Sequence, residues 1–152
     1  MKATSLYEAN CLLAEGPCWH AERNSIFWVD IERKSLFEYQ FDNGQVKTNS
    51  FPYRVTNIVL DREGNLILGL QGGIGSFNLK TDTLTWLLDI EKEYPNRRCN
   101  DGKCDPQGRL WMGIMDENCK EGEGSLYCID PDLSKHKMID QLTIPNGIVF
   151  FG

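Results

Sequence analysis

The chain has 152 residues, enough to bury a hydrophobic core and short enough that a single domain is the expectation. A net charge of −6 and a pI near 4.9 leave no basic footprint for nucleic acid, and the Lys and Arg residues are scattered, with no basic amphipathic run for a membrane surface. No apolar stretch approaches the ~20 residues of a membrane span.

Strand signals dominate from the start. Ser25 to Ile31 is a β-rich run bounded by Arg23-Asn24 and Glu32-Arg33, and Ser35 to Phe41 alternates apolar and polar before breaking at Asp42-Asn43-Gly44, a hairpin signal. Val46 to Phe51 reads as a further short strand. The order then returns: Thr56 to Leu60, a turn at Asp61 to Gly64, Asn65 to Leu70, then Gly75 to Leu79, a turn at Lys80 to Asp82, and Leu84 to Leu88. Gly72-Gly73-Ile74-Gly75 opens no helix and reads as a turn between strands, and Ile90 to Tyr94 reads as one short helical turn. Asn96 to Met115, NRRCNDGKCDPQGRLWMGIM, is the densest stretch of chemistry. Two arginines precede an Asn100-Asp101-Gly102 turn, a second turn follows at Asp105 to Gly108, and Arg109 to Ile114 is a buried strand.

The returns are regular. Asp61-x-x-Gly64-Asn65-Leu66 recurs as Asp105-x-x-Gly108-Arg109-Leu110, and Tyr39, Phe77 and Tyr127 occupy matching places in successive strands. A period of roughly 40–50 residues with four strands per unit is the pattern of a β-propeller blade. An ordinary sandwich with accidental self-similarity is the rival, disfavoured because the turn and the aromatic recur together. The expected fold is all-β, a partial propeller in one domain over 1–152 with about three four-stranded blades at roughly 12–51, 55–89 and 99–141, and a fourth starting at 144–151. The innermost strands begin near Glu15, Asn57, Asn100 and Asn146, polar residues where a sandwich core would be apolar, as expected of a channel lining.

Glu15, in Ala14-Glu15-Gly16-Pro17, is either a hard oxygen ligand or a solvated charge at a strand end. Asn146, between Pro145 and Gly147, is either an amide ligand or a turn residue. Arg98 and Asn100 flank Cys99 and so share one face of a strand, where a guanidinium and an amide suit hydroxyls and a carbonyl; the bland alternatives are a surface charge and a turn cap. Asp101 reads as a brace for backbone N–H groups, and Trp19, Trp28, Trp86 and Trp111 read as packing between blades. The N-terminus, MKATSLYEANCLLAEG, lacks the sustained apolar core of a signal peptide, which points to the cytoplasm. Cys11, Cys18, Cys99, Cys104, Cys119 and Cys128 then read as free thiols, and with His20 and His136 each alone no zinc spacing is complete. No GxSxG, Ser-His or Cys-His pairing and no phosphate loop is present.

On Arg98-Cys99-Asn100-Asp101-Gly102-Lys103, Asp105-Pro106, Gly108-Arg109 and Gly113, with Glu15-Gly16-Pro17 and Asn146-Gly147 in support, the chain resembles the gluconolactonase/regucalcin (senescence marker protein) family from about Leu12 onward. The resemblance implies metal-dependent opening of a sugar lactone. It implies one divalent cation, Ca²⁺ first with Zn²⁺, Mg²⁺ or Mn²⁺ as alternatives, held by Glu15 and Asn146, and substrate contacts from Arg98, Asn100 and one of Glu117 or Asn118. It places a further Asp, the general base, beyond Gly152, so the catalytic residue is unknown here. Ile114 stands where the family commonly has Thr. The chain stops where such proteins are about half finished, which implies an N-terminal half of a six-bladed ring with open edges prone to self-association. A calcium-binding propeller without turnover and an inactive fragment are the rival readings.

Overall fold

In the computed structural model, which describes residues 2–151, twelve strands form three four-stranded antiparallel sheets, each ordered as it runs in the chain. The first holds β1 (Ala14–His20), β2 (Ser25–Asp30), β3 (Ser35–Gln40) and β4 (Val46–Ser50). The second holds β5 (Val55–Leu60), β6 (Leu66–Leu70), β7 (Gly73–Asn78) and β8 (Thr83–Asp89). The third holds β9 (Arg97–Cys104), β10 (Leu110–Asp116), β11 (Gly124–Ile129) and β12 (Lys135–Leu142). The only helical turn among the described residues is a 3₁₀ turn at Ala21–Arg23; Ile90 to Tyr94 is a turn closed by Tyr94 N–H to Glu91 O at 3.0 Å, not a helix. No helix among these residues is long and apolar enough to cross a membrane.

The sheets stack like pages, and each core lies between two of them. Side chains alternate across a strand, so β6 sends Leu66, Leu68 and Leu70 toward the first sheet and Ile67 toward the third. The first core joins Phe27, Val29, Ile31 and Leu36 to Val55, Ile58, Leu66, Leu68, Leu70 and Phe77. The second joins Ile74 and Ile90 to Cys99, Leu110, Met112, Ile114, Tyr127 and Ile129. Burial on both faces is why the middle sheet reads as continuous apolar runs. The outermost strands are wet: β12, KHKMIDQL, is exposed along nearly its whole length.

The repeated Asp-x-x-Gly turns have one geometry. Asp61 Oδ1 accepts the N–H groups of Glu63 and Asn65 at 2.8 Å, and Asp105 Oδ1 accepts those of Gln107 and Arg109 at 3.0 and 2.9 Å. Gly64 and Gly108 sit at φ +79° and +82°, where a Cβ would be strained. In the first sheet Asn24, at φ +47°, takes that place. Replacing Asp61 with Ala leaves two turn amides to water, so a loss of about 1 kcal/mol is expected, visible as a fall of ~3 °C in Tm by calorimetry.

The tryptophans depart from the expected packing between sheets. Trp28 stacks on Phe37 within the first sheet, ring centroids 5.1 Å apart, and Trp19 meets Phe41 edge-on at 5.5 Å. Trp86 alone of the four packs against an intersheet core, with Tyr53 at 5.2 Å. Asn100-Asp101-Gly102 also differs from the expected turn: it lies inside β9, because pairing with β10 on one side supplies the hydrogen bonds a turn would otherwise make internally.

Candidate functional site

The first strands of the three sheets lie side by side, with β5 between β1 and β9. Each breaks register at the same level: β1 between Glu15 and Cys18, β5 between Val55 and Asn57, and β9 opposite Met112 to Ile114, where Asn100 and Asp101 sit. Bulges of this kind re-aim side chains out of the regular pleat. Here they gather Glu15, Gly16, Thr56, Asn57, Asn100, Asp101 and Asn146 around one cleft of about 40 Å³. That is larger than the ~15 Å³ one water needs. Glu15, Asn57, Asp101 and Asn146 also border an open hollow of about 570 Å³ along the first strands.

The polar groups are cross-tied. Asn100 Nδ2 donates to Pro145 O at 2.9 Å, and its Oδ1 accepts from Arg98 Nη1 at 2.8 Å. Asp101 Oδ1 accepts Gly102 N–H at 2.8 Å, and its Oδ2 accepts the N–H groups of Gly147 and Ile148 at 2.7 and 3.2 Å. Asp101 is thus a backbone brace, but one that reaches to a distant segment. Residues 144–151 form no strand among the described residues; Asn100 and Asp101 hold the segment against β9. Asn146 is exposed, with Oδ1 turned onto Gly147 N–H at 3.0 Å, and Glu15 is exposed on β1.

Arg98 does not line the cleft but is bonded to Asn100, which does. It is buried, and Nη1 also donates to Cys99 O at 2.9 Å. Burial pulls its guanidinium below the ordinary arginine value, opposed by the charge of Glu117. Glu117 accepts from Arg54 Nη1 at 2.9 Å, and Arg54 Nη2 donates to Glu32 at 3.1 Å, while Asn118 is exposed. Ile114, 1% exposed, is part of the second core, so an apolar residue suits that position.

Asn57, which the sequence marked only as the start of an inner strand, is the functional candidate that reading missed. Its signal was an amide inside the apolar run Val55-Thr56-Asn57-Ile58-Val59-Leu60. Asn57 Nδ2 donates to Gly102 O at 3.1 Å and Asp101 Oδ1 at 3.3 Å, and its Oδ1 is buried without a partner. Among the described residues no three His, Cys, Asp or Glu side chains come close enough to hold a metal. The cleft's donors are oxygens of two carboxylates, three amides and a hydroxyl. An orphaned acceptor beside such a set fits a hard cation, which prefers oxygen ligands.

The SMP-30/gluconolactonase/LRE-like region matches residues 13–151. Regucalcin from Gallus gallus is 32% identical over 141 residues, covering 90% of this chain and 47% of the relative. The crystal structure of a calcium-binding protein, regucalcin, from Agrobacterium tumefaciens superposes with a TM-score of 0.87 at 26% identity, over 93% of this chain and 48% of that one. A gluconolactonase from Xanthomonas campestris shares the fold, with a TM-score of 0.72 at 16% identity over 86% of this chain and 48% of its own. The chain spans about half the length of the curated relatives it matches. With three sheets stacked as propeller blades and a match along nearly its whole length, the chain belongs to the SMP-30/gluconolactonase/LRE-like family.

Proposed function

We propose that residues 1–152 form the first half of a divalent-metal-dependent sugar lactone hydrolase, with segment 144–151 beginning a fourth blade. The observation that carries the reading is the oxygen-lined cleft, built from all three inner strands and the 144–151 segment. Glu15 and Asn146 are the proposed metal ligands. The absence of sulfur and imidazole from the cleft favours Ca²⁺ over Zn²⁺, with Mg²⁺ and Mn²⁺ as alternatives. When bound, the cation supplies Lewis-acid polarisation of the lactone carbonyl. Arg98 and Asn100 are the proposed substrate contacts: Asn100 lines the cleft, and the bond from the buried Arg98 fixes its amide orientation. Between the two acidic-loop candidates, Glu117 is occupied by Arg54, which favours Asn118 as the free polar contact. Six free cysteines suit a reducing cytoplasm.

A calcium-binding role without turnover is the second reading, favoured by the mutual engagement of Arg98 and Asn100. Hydrolysis of a panel of five- and six-membered sugar lactones with Ca²⁺, Mg²⁺, Mn²⁺ and Zn²⁺, alongside a calcium titration, separates the two. Slow, chelator-sensitive hydrolysis that Glu15→Gln abolishes is expected, slow because no base is assigned within this chain. Sedimentation should show self-association through the open outer faces. Turnover unaffected by chelator would overturn the metal-dependent reading, and calcium binding with no hydrolysis of any lactone would favour the second.

A further inference from the structure

We propose that Asn57 is itself a ligand of the bound cation, so that the second sheet adds an oxygen to those of Glu15 on the first sheet and Asn146 on the 144–151 segment. The proposal rests on reading the cleft as a cation site, and adds a residue to it. Three observations carry it.

First, the amide orientation is determined. Nδ2 faces two oxygens, Gly102 O at 3.1 Å and Asp101 Oδ1 at 3.3 Å; exchanging the amide's nitrogen and oxygen would set oxygen against oxygen. The group left over is therefore an acceptor. Second, that acceptor is unsatisfied. Asn57 is 5% exposed and lines the cleft, and Oδ1 is one of two buried side-chain polar atoms without a partner among the described residues, His20 Nδ1 being the other. Buried acceptors almost always find a donor or an ion. The neighbouring Thr56 hydroxyl does not compete, since it donates to Gly69 O at 3.2 Å. Third, β5 breaks register between Val55 and Asn57, as β1 does beside Glu15 and β9 does at Asn100 and Asp101. Asn57 thus shares the local distortion of the other cleft residues, and it is on the central strand of the three.

The second sheet then supplies more than a spacer between Glu15 on one side and Asn100 and Asp101 on the other. A neutral amide at this point adds an oxygen without adding repulsion to the nearby Asp101 carboxylate, which suits an ion that takes six to eight oxygens.

The test is a titration of the whole chain with Ca²⁺, and with Tb³⁺ as a luminescent probe whose lifetimes in H₂O and D₂O count bound waters. Asn57→Leu keeps the branching at Cγ and removes the oxygen; it is expected to weaken Ca²⁺ binding about tenfold and to add about one water to bound Tb³⁺, as one fewer protein ligand demands. Asn57→Asp keeps an oxygen and adds charge. Without ion it should melt lower, because its carboxylate faces Asp101 Oδ1 and Gly102 O; with ion it should bind about tenfold tighter, because ligand charge raises affinity. If the unaltered chain binds neither ion, the cation reading of the cleft fails. If it binds and Asn57→Leu leaves affinity and water count unchanged, that reading stands and the present proposal is overturned. Should Asn57→Leu not fold, Asn57→Ala, which removes the same oxygen without added bulk, is read by the same affinity and water count, with the same outcomes.

Discussion

Glu91→Ala is expected to cost about 3 kcal/mol of stability, the low end for removing one partner of a buried ion pair. Glu91, 6% exposed, follows β8 and is the knot between the second and third sheets. Its Oε1 accepts from Tyr127 Oη at 2.8 Å, Ser125 Oγ at 3.3 Å and Lys137 Nζ at 3.1 Å, and its Oε2 accepts from Arg97 Nη1. These donors come from β9, β11 and β12, so one carboxylate ties three strands of the third sheet to the end of the second. Alanine would strand a largely buried guanidinium and a phenol; Arg97 keeps Glu123 through Nη2, which is why the low end of the range applies. Chemical denaturation should give the loss. Pairing Glu91→Leu with Arg97→Met should recover most of it, since apolar replacement of both partners removes the unpaired charge. A loss under ~1 kcal/mol for Glu91→Ala would mean that the network is ornamental.

The same group sets an acid limit. Burial alone would raise the Glu91 carboxyl, but the hydrogen bonds from Arg97, Tyr127 and Lys137 outweigh it and hold its pKa below the ordinary value. A carboxyl depressed in the folded chain contributes stability that is fully present above its unfolded pKa, near 4.3. That contribution is lost as pH falls through the folded value. Asp105 acts in the same direction: burial opposes ionisation, but donors from Trp111 and Arg109 bring it down to about 2. Stability should therefore fall below pH ~4, and Glu91→Gln should flatten the upper part of that fall.

On the proposed cation site, Gly113→Ala is expected to weaken Ca²⁺ binding about tenfold, equivalent to ~1.4 kcal/mol, while leaving the sheets folded. A Cβ on Gly113 would lie 2.7 and 2.8 Å from the ring carbons of Pro145 and 3.2 Å from Asp101 O. Overpacking of this kind costs about 1–3 kcal/mol unless something moves. The free side of that contact is the segment around Pro145, held to β9 only by Asn100, Asp101 and local packing. Displacing it removes Asn146 from the cleft and breaks the bond from Asn100 to Pro145 O. Calorimetric titration together with a thermal melt checks this. Unchanged affinity would show that the Pro145–Ile148 stretch is no part of the site.

Much of the fold was legible in the chain. Period-two alternation in Ser35 to Phe41, and the two Asp-x-x-Gly turns, are local properties that each repeat carries by itself. The recurring third-strand aromatic, Tyr39, Phe77 and Tyr127, marked the repeat correctly, since these residues occupy β3, β7 and β11. Asn100-Asp101-Gly102 was misread as a turn because its composition is that of a turn. Only the paired edge of β10 makes it a strand, and that edge is contributed by residues later in the chain.

The sequence by itself determined the class of fold, the repeat and the family, and singled out the short run from Arg98 to Lys103, of which Asn100 and Asp101 line the cleft. The tertiary structure decided which oxygens meet. Glu15, Asn57, Asn100 and Asn146 are far apart in the chain and lie in runs that serve strand formation equally well. They share a cleft because the inner strands are adjacent and bulged at one level. Arg98 drew attention as a charged residue; the structure buries it and bonds it to Asn100. Asn57 drew almost none, because an amide's free valence depends on where its other atom is bound, and only the packing of β5 against β9 commits the nitrogen and leaves the oxygen without a partner.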